Sequence, residues 1–108
     1  MLDGNIQTRK YPAEGLVIFS FVGDFIDPDY IKDTITPSIN EFRNIVLDVQ
    51  KLEYINSASF GSFFEIVSRA DYGKSKICFM NPNKKFKIIS SSLGANKIFS
   101  SISSLNEL

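Results

Sequence analysis

Ile45-Val46-Leu47-Asp48-Val49 and, after a short bridge, Tyr54-Ile55-Asn56-Ser57-Ala58-Ser59-Phe60-Gly61 form the stretch that decides the fold. The first block is rich in aliphatic and β-branched side chains and has no Gly or Pro, which predicts a buried strand. From Phe60 the spacing changes: Phe60, Phe63, Phe64 and Val67 fall at i, i+3, i+4 and i+7, one face of a helix. The polar group Asn56-Ser57-Ala58-Ser59 lies just before that face, where a helix needs oxygens for its free N–H groups. A hydroxyl-bearing turn is thus held between a strand and the positive end of a helix, and function is expected there.

Working outward toward the N-terminus, Leu16-Val17-Ile18-Phe19-Ser20-Phe21-Val22 is the strongest strand signal. Ile6 to Tyr11 alternates weakly, and the turn Pro12-Ala13-Glu14-Gly15 predicts an antiparallel hairpin over 5–22. Asp27 before Pro28 has the form of a helix N-cap with Pro at the first helical position. Ile31, Ile35, Ile39 and Phe42 then continue one apolar stripe across Pro37, which predicts a single kinked helix. Toward the C-terminus, Gly73 suits a left-handed helix end and Lys76 to Asn81 reads as a strand. Pro82-Asn83 opens a helix with Phe86, Ile89 and Leu93 inward, stopped by Gly94; Ile98, Phe99 and Ile102 are expected to close the core as a last short helix, so that closing helices occupy 83–104. The order β-β-α-β-α-β-α predicts one α/β domain over 1–108. Its mixed sheet of four to five strands carries packed helices, and strand-turn-helix 45–70 lies at its centre.

Composition narrows the function. With 108 residues and 44% hydrophobic side chains, a single core is expected, and twelve basic residues balance twelve acidic ones. No bulk attraction to nucleic acid or an anionic membrane follows. The lysines at 74, 76, 84, 85, 87 and 97 read as a solvated face. The N-terminus lacks the basic start and apolar block of a signal peptide, no apolar run approaches the ~20 residues of a membrane span, and the lone Cys78 sits in an apolar block; a cytoplasmic protein is expected. There is no histidine and no glycine-rich phosphate loop, so no metal, cofactor or nucleotide hydrolysis is advertised.

The central stretch resembles the STAS domain, and within it the small stand-alone anti-sigma factor antagonists of bacteria. The family's pattern is an apolar strand ending in Asp, then Asp-Ser-x-Gly-φ-Gly opening a helix; here it reads Ile45-Val46-Leu47-Asp48 and Asn56-Ser57-Ala58-Ser59-Phe60-Gly61. Gly23-Asp24-Phe25 resembles the family's Gly-Glu-Leu, Gly73 with Ile77 to Pro82 its glycine turn and fourth strand, and Leu93-Gly94 with Ile98-Phe99 its closing segment. The likeness covers roughly residues 15 to 100. Two positions depart from it: Asn56 stands at the motif's Asp and Ser59 at its first Gly.

The resemblance implies a regulatory protein, not an enzyme. Its partner is a kinase-type anti-sigma factor, and phosphorylation of Ser57 controls the binding. It implies a partner surface at Asn56, Ser57, Ser59, Phe60 and Asp24, with no cofactor, no direct nucleic acid, no membrane, and a monomer or weak dimer. Asn56, Ser57 and Ser59 equally fit plain helix capping, and the phenylalanines fit core positions. A non-phosphorylated STAS scaffold in a stressosome-like or transporter-associated complex is the alternative. An enzyme using the Ser57 or Ser59 hydroxyl is weakest, since a serine nucleophile needs a base and no histidine exists.

Overall fold

Across the described residues, 4–23, 26–52 and 55–108, the computed structural model of the chain has five strands and three α-helices. The strands are β1 (Asn5–Tyr11), β2 (Leu16–Val22), β3 (Asn44–Asp48), β4 (Lys76–Met80) and β5 (Ser100–Ile102). The helices are α1 (Pro28–Ile35), α2 (Ser57–Tyr72) and α3 (Lys84–Ser92). Gly15 takes the left-handed conformation at φ 62° and turns β1 back on β2, so the expected hairpin forms, with Thr8 opposite Phe19. Asp27 caps α1 by accepting the Asp29 N–H at 3.2 Å, with Pro28 in the first turn.

The sheet order is β1-β2-β3-β4-β5, antiparallel at the hairpin and parallel from β2 onward. In such an order, crossovers of one hand put every connecting helix on the same face. The burial pattern agrees. Phe19, Leu47 and Phe79 join the core under the helices, while their neighbours Ile18, Val46 and Cys78 form a smaller cluster with Ile102 on the opposite face. Both faces of the central strands are therefore apolar, which explains why β2 and β3 read as continuous hydrophobic runs.

The helix-side core is built from phenylalanine. Phe63 meets Phe21 and Phe79 edge-to-face at centroid distances of 5.7 and 5.4 Å, and Phe99 stacks on Phe79 at 4.5 Å. Leu47, Phe63 and Phe79 are fully buried and Val67 nearly so, as the helical and strand periods predict.

Four details differ from the sequence expectation. Pro37 does not kink one helix: α1 ends at Ile35 and a short 3-10 turn, Thr36–Ser38, follows, because proline has no N–H to continue the α ladder. Gly73 is extended, at φ −94° and ψ −156°, and not left-handed. Its requirement for glycine is steric, since a Cβ there would fall well inside contact distance of the Asn40 side chain. Leu93 and Ile98, expected inward, are 46% and 55% exposed. Finally, residues 100–102 form edge strand β5 in place of a last helix. Strand alternation sends Phe99 to the helix-side core and Ile102 to the opposite cluster, a division that a helix would not make.

Candidate functional site

The start of the connection from β3 toward α2, residues 49–52, is fastened to its neighbours. Asp48 closes β3 by accepting the Gln50 N–H at 3.2 Å, and the Val49 N–H donates to the Met80 carbonyl at 3.2 Å. Leu52 forms a parallel bridge with Gly23 and is buried. The Asn83 side chain performs two tasks: its Oδ1 caps α3 by accepting the Phe86 N–H at 2.9 Å, and its Nδ2 donates to the Leu52 carbonyl at 2.7 Å. The loop that delivers the hydroxyl cluster is thus tied to two neighbouring strand ends and to the start of α3.

Asn56 is the N-cap of α2. Its backbone is extended, at φ −134° and ψ 177°, and its Oδ1 accepts the Ser59 N–H at 3.0 Å. Its carbonyl accepts the first intrahelical bond, from the Phe60 N–H at 3.1 Å. Ser57 is therefore the first helical residue, and both it and Ala58 are exposed. Among the described residues the Ser57 hydroxyl makes no hydrogen bond, because the capping is done by its neighbour.

The helical period then divides the cluster. Ser59 and Phe60 are 4% and 0% exposed; Phe60 packs edge-to-face on Phe63 at 6.1 Å and stacks on Phe99 at 6.0 Å. Both had been expected on the partner surface, and both face inward. Gly61 returns to the surface, and a Cβ built on it would meet nothing within 4 Å. Ser62 turns toward α1, where its hydroxyl donates to the Pro28 carbonyl at 2.8 Å. One turn on, Glu65 pairs with Lys32 of α1 at 3.6 Å and with Arg69 at 3.1 Å.

The structure thus brings Asn56 and Ser57 together at the positive end of a sixteen-residue helix, with Ala58 and Gly61 beside them. Asp24, the remaining expected site residue, lies outside the described residues. Sequence reasoning missed the tie through Ser62 and the second bond of Asn83, for which no local pattern exists. The exposure of Gly61 was readable, since it lies four residues after Ser57 on the same helical face.

Chemically, this end of α2 can receive an anion. The Ser57 and Ala58 amides find no acceptor among the described residues. Such amides and the helix dipole favour negative charge. Among the same residues no group of three or more His, Cys, Asp or Glu converges to hold a metal ion, and no helix is long and apolar enough to cross a membrane.

Residues 6–108 match the family model of the STAS domain. The chain belongs to the STAS domain family. Among solved structures it is similar to the anti-sigma factor antagonist SpoIIAA in its unphosphorylated form, with a TM-score of 0.77 at 15% identity over 95% of this chain and 91% of the other. An anti-sigma factor antagonist from Mycobacterium paratuberculosis superposes with a TM-score of 0.80 at 13% identity, covering 96% and 89% of the two chains. A putative one from Thermotoga maritima gives 0.79 at 16% identity, covering 94% and 89%. Identities this low show a common fold. No protein of curated function matches the sequence.

Proposed function

We infer that this STAS domain is an anti-sigma factor antagonist-like regulator that binds a kinase-type anti-sigma factor through the exposed start of α2 and is switched by phosphorylation of Ser57. The observation that carries the reading is the division of labour between neighbours: Asn56 caps the helix, which leaves the Ser57 hydroxyl exposed. A phosphate there adds about −1.5 to −2 charge where the helix end favours an anion. The fold therefore tolerates it. At a docked interface the same group brings bulk and a large desolvation cost, and binding is lost. On this reading the protein acts in transcription regulation in the cytoplasm, through a protein partner and without catalysis of its own. SpoIIAA, with which it shares the fold, has been solved in a phosphorylated form as well.

The test pairs two substitutions with two measurements, melting temperature and affinity for a kinase-type anti-sigma factor. Ser57→Asp should keep or slightly raise stability, by ~0.3–1 kcal/mol, and weaken binding. Ser57→Ala should bind like the parent, accept no phosphate from ATP, and melt nearly unchanged; the cap loss of ~1 kcal/mol belongs to Asn56→Ala. Equal binding by Ser57→Asp, or phosphate on Ser59, would remove Ser57 from the role. The departures at Asn56 and Ser59 favour the scaffold reading in one circumstance: a partner that binds while its kinase activity leaves Ser57 unmodified.

A further inference from the structure

The opposite end of α2 carries a second surface, about 24 Å from Ser57 at 1.5 Å of rise per residue. A groove of about 570 Å³ opens there between the last turn of α2, the starts of β3 and β4, and the segment preceding β5. Its apolar lining comes from Val67, Ala70, Ile77 and Ile98, the last of them 55% exposed. Its polar lining includes Arg43, Lys74 and Lys76, all exposed, against a single carboxylate, Asp71. Among the described residues the ion pairs are Lys32–Glu65 and Arg69–Glu65, so the three groove cations have no carboxylate partner. The end of α2 adds some negative potential, but the Arg69 and Ala70 carbonyls are already occupied by the Gly73 N–H. Tyr72, beside the groove in sequence, is 93% exposed.

Two further observations give this surface a shape. The cations stand on a fixed backbone: the Lys74 N–H donates to Asn40 Oδ1 at 3.1 Å, the Lys76 N–H to the Arg43 carbonyl at 2.8 Å, and the intervening Ser75 hydroxyl to the Phe42 carbonyl at 2.6 Å. In addition, β5 pairs only with Cys78–Met80, so the Lys76–Ile77 end of β4 has no strand on that side. An open strand edge is a template for an extended peptide, and a preorganised surface binds at lower entropic cost. We propose that this groove binds an extended acidic segment of a protein partner, with one apolar side chain of the segment on the Val67–Ile77–Ile98 lining and its carboxylates on Arg43, Lys74 and Lys76. The concave form fits a peptide better than a flat bilayer surface. The site is independent of Ser57.

The experiment uses the full chain and a fluorescein-labelled peptide Glu-Asp-Leu-Asp-Glu, with its lysine-for-acid counterpart as control. Anisotropy should show saturable binding of the acidic peptide alone, weakening as salt screens the charges. Amide chemical shifts should move at Arg43, Lys74 to Ile77 and Ile98. Lys74→Glu/Lys76→Glu should weaken binding by about tenfold or more, whereas Lys84→Glu/Lys85→Glu, with the same net charge, should leave it within about twofold. Lys74→Gln and Lys76→Gln should each give a partial loss if the double reversal disturbs folding. No saturable binding, equal loss in the α3 control, or shifts confined elsewhere would overturn the proposal. Tighter binding of the same residues to phosphatidylglycerol vesicles than to the peptide would also overturn it and point to a membrane surface.

Discussion

Gly61→Ala separates what α2 needs for folding from what the proposed docking role requires of it. Gly61 is the fifth residue of α2, it is exposed, and its φ is not positive. An added Cβ would find no atom within 4 Å, so the chain itself gives no reason for glycine here. In a helix interior, glycine is less favourable than alanine by roughly 0.5–1 kcal/mol through the entropy of the unfolded chain. With no clash to set against that, Gly61→Ala should stabilise the protein by about 0.5–1 kcal/mol, which in a domain of this size is a rise of about 2–8 °C in Tm. Urea and thermal unfolding read the effect directly. If the start of α2 docks the partner as proposed, the same methyl group beside Ser57 and Ala58 would overfill a close-packed interface, at a cost of about 1–3 kcal/mol. Partner affinity should therefore fall about fivefold to a hundredfold while stability rises. A stability loss would show that something packs on Gly61. A gain with unchanged affinity would remove this turn of α2 from the docking surface.

Phe63→Ala should cost ~3–5 kcal/mol in chemical denaturation, because the ring is fully buried and meets Phe21, Phe60, Phe79 and Phe86; a loss below about 1 kcal/mol would contradict the packing. Gly73→Ala should cost about 1–3 kcal/mol by displacing the Asn40 side chain from the Lys74 N–H, and Asn40→Gly, at a site with φ 73°, should restore part of the loss. Burial pushes the Cys78 thiol above its ordinary value, with Lys76 pulling weakly the other way. A raised folded pKa stabilises below the unfolded value and is lost as pH rises through the folded one, so denaturation midpoints should drop more steeply for the parent than for Cys78→Ala as pH rises past the ordinary thiol range. Parallel slopes in the two proteins would refute that linkage.

The fold was legible in the sequence wherever one periodicity ran long enough to exclude the others. The strands over 16–22 and 45–49, the Asp27 and Pro28 start of α1, and the Phe60, Phe63, Val67 stripe all stand close to where they were expected. The failures share a physical cause: a short segment whose state is set by a distant partner. Residues 98–102 have apolar spacing compatible with a helix, and only the open edge of β4 turns them into a strand. Gly73 reads as a helix terminator, yet what forbids a side chain there is Asn40, thirty-three residues earlier in the sequence. The site divides in the same way. Asn56 as cap and Ser57 at the helix start follow from local chemistry, whereas the burial of Ser59 and Phe60 depends on which side of α2 meets the sheet.

That orientation also changes what the two departures from the family motif mean. Ser59 replaces a glycine, but it lies 4% exposed on the inner side of the helix, so its extra atoms do not reach the face formed by Ser57, Ala58 and Gly61. Asn56 keeps the capping oxygen and gives up the charge. An aspartate there would cap equally well and interact with the dipole, but it would repel a phosphate on the adjacent serine. With asparagine, a dianion at Ser57 meets the helix end with no like charge in the cap. Under the proposed switch, asparagine would therefore ease a phosphorylated state of the folded protein and withdraw a carboxylate from the surface offered to the partner. Asn56→Asp should accordingly leave stability within about 0.5 kcal/mol, since the two residues cap alike. It should also raise the second pKa of a Ser57 phosphate through like-charge repulsion. Phosphorus NMR of the phosphorylated protein measures that shift, and an unchanged pKa in Asn56→Asp would show that the cap and the phosphate do not face each other.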